Sequence, residues 1–384
     1  MITPENKPPS KMPPTPTDPN TLLLRACACL HMEPAQQAAL SQLVAQIEDW
    51  RGLINSAERH ALAPLIYHHF TQAEIEYPRA TAMELRALTL RHRAADQIRS
   101  SVLLELLTQL KKAGIQYAVL KGAALAHIVY PKAELRPMRD LDVLVDPQRA
   151  GEAQSILRDL GFNAPEQQTG YLTDHHHLPG ATLQRDGLSV SIEIHHDALS
   201  GDVGASIRTD RLTEPLRDFD LKGFTAKALG HVDMLRHLSH HTLEPVAEIK
   251  LGSIVDIFGY AEKFVEEIDW PFLKARYPFV ITVMQCLHYL NPIPQAIHQH
   301  VLPPNAAPPS GVGMGILPLS QILRARKSKL QIADELLYPS DWWLHAFYNV
   351  SPDRSLWWTR WVHHPVTIMR WLWRRFLASR HSGS

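Results

Sequence analysis

From about Thr21 to Lys112 apolar side chains recur three and four positions apart, as in Leu40, Leu43, Val44 and Ile47, and again in Leu103, Leu106, Leu107 and Leu110. That period puts them on one stripe of a helix, so this stretch reads as a helical block. Gly114 is a helix-stop residue, and the pattern changes there. Ile115 to Leu120 is a continuous apolar run with the length of a buried strand; an apolar helix follows from Gly122 to Tyr130, closed by Pro131. Leu141 to Val145 is a second short strand, Asp146-Pro147 caps and opens a helix to Leu160, and Gly161 stops it. Leu188-Ser-Val-Ser-Ile-Glu-Ile-His195 alternates apolar and polar residues, as a half-buried strand should. From Ala226 to about His298 helical spacing returns, over 231–241, 253–267 and 280–290.

Helices, then strands alternating with helices, then helices again read as an α/β core between helical regions. The core is expected within 113–200, flanked by helical regions at 21–112 and 201–300. Residues 1–20 are proline-rich and poor in apolar side chains, which predicts a disordered tail without the charged start and apolar centre of a secretory signal. Residues 301–325 have the proline and glycine content of a linker, and 326–384 form a separate segment rich in tryptophan and arginine.

Composition narrows the function classes. Across 384 residues 39 Lys and Arg balance 39 Asp and Glu, so no global charge favours wrapping a nucleic acid. No run of uninterrupted apolar residues is long enough to span a bilayer. Three cysteines, Cys27, Cys29 and Cys286, fit neither a disulfide framework nor a zinc pattern, which suggests a reducing cytoplasm. The C-terminal segment stands apart. Seven of the nine tryptophans lie in it, and after Asp353 it holds arginines and no acid. A helix over 360–377 would put Trp361, Pro365, Ile368, Met369, Leu372 and Phe376 on one face, suited either to peripheral membrane contact through 354–380 at the inner face of the cell membrane, or to packing back on the helical region.

The chemistry concentrates between Val119 and His195. Asp140 and Asp142 alternate on one strand and so share a face, with Leu141 and Val143 turned to the core. Two carboxylates held that close call for a cation, and hard oxygen ligands suit Mg²⁺ or Mn²⁺. Lys121-Gly122 stands between a strand and a helix, where free N–H groups and the helix dipole attract phosphate. Glu193 is a charged residue between Ile192 and Ile194, in phase with Ser191 and His195, and is the candidate third acid. The twenty-two histidines cluster at His175 to His177, His195-His196 and His237 to His241. Imidazole suits transition metals, but a place near the carboxylates is the simpler use for His177 and His195.

Leu-Lys-Gly-Ala-Ala-Leu at 120–125, Tyr130-Pro131, Arg136 and Arg139-Asp-Leu-Asp-Val-Leu-Val145, followed by Glu193-Ile-His195, resemble the uncharacterised bacterial nucleotidyltransferase family of the polymerase β superfamily. Softer similarity continues through Trp50, His60 and Pro64 to Tyr67 upstream, and through Ile254 to Phe258 and Ile268-Asp-Trp270 downstream. The resemblance implies an α+β fold, a minimal nucleotidyltransferase core with a mixed sheet backed by helices, and two divalent ions, Mg²⁺ or Mn²⁺, on Asp140, Asp142 and Glu193. It implies an NTP such as ATP as donor, its phosphates on Lys121, Gly122 and Arg139, and a hydroxyl acceptor of unknown identity. Arg136, His177 and His195 would contact substrate or support the acids. Two departures stand out: Ala123 follows the glycine where a serine or glycine is usual, and the third acid is a glutamate. They fit a second expectation, a nucleotide-binding or regulatory module that keeps the fold with weakened catalysis.

Overall fold

The computed structural model describes residues 18–165, 175–199, 206–242, 250–302, 344, 348, 350 and 354–370. The N-terminal block is helical as its spacing predicts: α1 (Pro19–Ala26), α2 (Pro34–Val44), α3 (Trp50–Arg59), α4 (Ala63–Gln72) and the long α5 (Arg79–Lys112). Gly114, at φ +66°, ends α5 with the left-handed turn that glycine adopts at little cost. Then come β1 (Tyr117–Val119), α6 (Lys121–Ile128), β2 (Asp140–Val145), α7 (Ala150–Asp159), β3 (Ala181–Arg185), β4 (Leu188–His195), β5 (Arg217–Leu221) and β6 (Phe224–Ala228). The described C-terminal helices are α8 (His231–Thr242), α9 (Leu251–Lys263), α10 (Trp270–Arg276), α11 (Pro278–Leu290) and α12 (His298–Val301).

One mixed sheet of six strands runs in the order β3-β4-β2-β1-β6-β5. The pairs β2–β4 and β1–β6 are parallel and the others antiparallel. This is the α+β architecture with a mixed sheet that the resemblance implies, with one difference from the element pattern. β3, β5 and β6 fall where that pattern shows no strands, and β5 and β6 lie in the stretch expected to be helical, so the sheet continues past residue 200. Their signals are two-residue turns. Asp186-Gly187 and Lys222-Gly223 both have positive φ at both positions, the twist that joins tight hairpins. The flanking strands are short, and β5 alternates Asp218 and Asp220 with Phe219 and Leu221, so charge masks its buried face.

Buried apolar residues form one continuous core that runs from Leu23 in α1 through the sheet to Val301 in α12 and Leu344. α5 packs on α4, α7 and β4, while α9 packs on α6 and α8. The helical blocks on either side of the sheet in sequence therefore share its core. Among the described residues no helix is long and apolar enough to cross a membrane.

His69 shows how the N-terminal helices are tied together. It is buried on α4, and its Nε2–H donates to the Cys29 carbonyl at 2.8 Å. Burial pushes its pKa down to about 4. The unfolded chain would bind a proton at about pH 6.5, so stability falls as pH drops from there towards 4, by about 3 kcal/mol in all. His69→Gln keeps a donor and cannot titrate, so urea unfolding across that pH range should show a flatter stability curve for the variant.

Of the expected tail 1–20, residues 1–17 lie outside the described residues, while Pro19 and Asn20 already belong to α1 because Asp18 caps that helix. Of the expected linker 301–325, Val301 closes α12 and 303–325 lie outside, as do Trp342, Trp343, Trp371 and Trp373. Residues 357–370 are helical, with a π turn over Thr359–His363 just before Pro365. The wider turn shifts the phase of the later residues, so the single apolar face expected from the sequence is divided. Ile368 and His364 are buried, whereas Trp357, Trp358, Trp361 and Met369 are exposed.

Candidate functional site

The site grows from the register of three neighbouring strands. β2 and β4 pair so that Asp142 stands opposite Glu193, with Asp140 opposite Ser191 and Leu144 opposite His195. On the other side of β2, the Leu120 N–H donates to the Asp142 carbonyl at 2.9 Å, which pins the start of the turn after β1 beside the same aspartate. The next residue, Lys121, adopts φ +40°. That left-handed backbone is strained for a side-chain-bearing residue, and such strain concentrates at functional sites.

Lys121 Nζ consequently lies 3.5 Å from Asp142 Oδ2. His195 reaches the same carboxylate from β4, its Nε2–H donating to Asp142 Oδ1 at 2.9 Å, with Glu193 Oε2 at 3.7 Å. Asp142 is buried, which by itself would raise its pKa; Lys121 and the His195 hydrogen bond outweigh that and hold the carboxyl well below the usual range. Glu193 is held low chiefly by His195. Burial works against charge on His195, but its hydrogen bond to Asp142 and the nearby Glu193 carboxylate raise it above an ordinary imidazole. Asp140 goes the other way: although it reaches solvent, the desolvation imposed by the cavity wall and then the charge of Asp142 raise it.

Ligand atoms of Asp142, Glu193 and His195 lie within 4.8 Å of one another, a set of two carboxylates and one imidazole that fits a divalent ion. The other nitrogen of His195 is buried with no hydrogen-bond partner among the described residues. Asp140 is exposed at the start of β2 and stands outside this group. Of the two other candidate supports on the Glu193 side, His195 is buried in the cluster, and His177 pairs with it by an isolated bridge and brings Nδ1 to 4.0 Å from Glu193 Oε2.

Gly122 meets a constraint that the turn alone does not suggest. Its φ is not positive; instead, a Cβ added there would lie 2.2 Å from Arg136 Nη1. The missing side chain lets the guanidinium lie against the start of α6. Arg136 is fixed in turn by Asp256 of α9, with Nη2 at 2.6 Å from Oδ2 and Nε at 3.2 Å from Oδ1, and Tyr130 OH donates to the same Oδ1 at 2.8 Å. Desolvation works against the half-buried guanidinium, but Asp256 dominates and raises its pKa above the ordinary value. α6 has no side-chain cap, so its first N–H groups are available to an anion.

A cavity of about 640 Å³ opens on this face, lined by Lys121, Gly122, Arg136, Arg139, Asp140 and Asp142. Asp256, which holds Arg136, falls in the Ile254 to Phe258 stretch of the resemblance without a role assigned to it there, and Arg59, Arg91 and Arg99, which line the same cavity from α3 and α5, are passed over by motif reading. The signal for Asp256 is a lone acid inside an apolar helix.

Comparison with known proteins points the same way. A family model described as "Uncharacterised nucleotidyltransferase" matches residues 46–278, more than half of the chain. Among curated proteins no significant match is found. Among solved structures, ANT(2″)-Ia in complex with adenylyl-2″-tobramycin is similar at 13% identity and a TM-score of 0.32, over 44% of this chain and 90% of that one. An antigenic nucleotidyltransferase-like protein from Paracoccidioides brasiliensis is similar at 16% identity and a TM-score of 0.31, over 49% of this chain and 92% of that one. At these scores neither likeness bears on the chemistry of this site.

Proposed function

The chain belongs to the uncharacterised nucleotidyltransferase family, and on that premise we propose that it transfers a nucleoside monophosphate from an NTP, with ATP as the default, to a hydroxyl of an acceptor. The observation that carries this reading is the meeting of Asp142, Glu193 and Lys121 at the strand register. Paired acids sit beside an uncapped helix start with a lysine between them.

Asp140, Asp142 and Glu193 would hold two divalent ions, Mg²⁺ or Mn²⁺, and bound ions would neutralise the phosphates and acidify the attacking hydroxyl. Lys121, Arg136, Arg139 and the first N–H groups of α6 receive the phosphate oxygens, and Gly122 keeps that approach open. The acceptor oxygen attacks the α-phosphorus and forms a new P–O bond. The bond to the bridging oxygen of the β-phosphate breaks, and pyrophosphate leaves with its electron pair. The hydroxyl proton passes to Glu193, whose carboxylate His195 keeps ionised, and from there to water.

NTPs labelled at the α-phosphate, incubated with the protein, Mg²⁺ and cell extract, should yield covalently labelled product that EDTA abolishes. No transfer from any of the four NTPs would sink the enzyme reading. One observation favours a second reading, a nucleotide-binding module without efficient transfer: Lys121 and His195 already satisfy Asp142. Both readings require nucleotide binding, and only the first requires label transfer.

Peripheral membrane contact through the C-terminal segment is a separate proposal. Exposed Trp357, Trp358 and Trp361, with Arg354, Arg360 and Arg370 in the same stretch, support it. The protein should float with anionic liposomes and cease to do so when residues 354–384 are removed; unchanged flotation would end the idea.

A further inference from the structure

The cavity beside Asp140 and Asp142 carries more positive charge than a nucleotide donor uses. Lys121, Arg136 and Arg139, around the start of α6 and β2, are the cations placed for the triphosphate. A second group comes from the N-terminal helices: Arg59 of α3 and Arg91 and Arg99 of α5 line the same space. Glu58 is the acid among the described lining residues of these helices, and it is shared between Arg91 and His92. Arg99 is partly buried, and its Nε is fully enclosed with no hydrogen-bond partner among the described residues. Desolvation lowers its basicity, and the carboxylates of Asp96 and Asp140 offset only part of that. A guanidinium kept in such a place is poised for an anion that arrives from outside the chain.

We infer that the acceptor carries an anionic group of the phosphate-monoester kind, seated on the arginines of α3 and α5 while its hydroxyl faces the α-phosphorus; this rests on the nucleotidyl-transfer reading. Guanidinium forks match phosphate oxygens two at a time, and a cleft lined by one sign of charge concentrates ligands of the other. The divalent ions and the acids beside them leave the donor's charge nearly balanced by Lys121, Arg136 and Arg139, so the helical arginines are surplus to it. The anionic group is a handle and is unchanged in the reaction. The substrate class is thus a phosphorylated small molecule with a free hydroxyl.

Calorimetric titration of inorganic phosphate into protein saturated with Mg²⁺ and α,β-methylene ATP tests this. Phosphate should bind in the presence of the analogue. Arg99→Gln and the exposed Arg59→Ala should each weaken phosphate about tenfold, the loss of one charge-assisted contact, and leave analogue affinity unchanged. Competition between phosphate and the analogue would mean a single anion site and overturn the proposal. So would phosphate binding that neither variant weakens, or analogue binding that weakens in step with it. Failure of the analogue to bind would instead overturn the nucleotidyl reading, and this inference with it. Arg59 is on the surface, so its variant keeps the test open if Arg99→Gln does not fold.

Discussion

Asp142→Asn is expected to lower label transfer by more than about 100-fold, because losing even an outer partner of a metal ligand costs roughly 10–100-fold and this carboxylate is at the centre of the cluster. Its two oxygens face two donors, Lys121 Nζ and His195 Nε2–H. An asparagine offers one acceptor and one donor, so either the ammonium or the imidazole loses its partner. The negative charge that holds Lys121 and His195 in place goes as well. Mn²⁺ binding, followed by electron paramagnetic resonance, should weaken together with transfer, which separates loss of the site from loss of the fold. Stability should fall by only about 1–3 kcal/mol, the cost of a buried polar group left unmatched. Asp140→Asn makes an informative contrast, since Asp140 is exposed and outside the close cluster; its metal affinity should fall less. Unchanged transfer in the Asp142 variant would remove that residue from the reaction.

The parts of this site that the sequence displays are those set by local periodicity. A two-residue alternation puts Asp140 and Asp142 on one face and Glu193 in phase with His195, and the structure joins the two strands with Asp142 opposite Glu193. The glycine turn is visible for a similar reason, as a break between an apolar run and a helix. Its mechanics are not visible. The strained residue is Lys121, and Gly122 is needed for Arg136, fourteen positions later, whose approach no local pattern encodes. β5 and β6 escape notice because burial of Phe219 and Leu221 is decided by pairing and packing, while the aspartates between them dominate the pattern. The tail illustrates the converse: a helical wheel drawn at constant pitch fails once a π turn intervenes before Pro365. The arginines of α3 and α5 look like ordinary surface charges until tertiary packing brings them to the cavity.

Asp256→Ala is expected to destabilise the fold by about 3–5 kcal/mol, the range for a buried ion pair that loses one partner. Asp256 is 3% exposed, and it accepts from Tyr130 and from two nitrogens of Arg136. Without it the guanidinium is stranded against the start of α6, where the Pro137 carbonyl accepts from Nη1 at 3.1 Å. Arg136→Met should be costly for the mirror reason, because it leaves a buried carboxylate with only the tyrosine hydroxyl. Combining Arg136→Met with Asp256→Leu removes both charges and should recover much of the loss, so urea denaturation of the single and double variants should show strong non-additivity. Gly122→Ala attacks the same contact from the other side, since its Cβ would lie 2.2 Å from Nη1 and 2.6 Å from Cζ, and the fork must leave Asp256 to make room. If Arg136 serves the phosphates, all of these variants should bind α,β-methylene ATP more weakly, including the double variant whose stability has recovered. Additive losses in the urea series would show that the two residues are not energetically coupled. The anchoring of the phosphate turn to α9, a helix more than a hundred residues away in sequence, would then have to come from apolar packing alone.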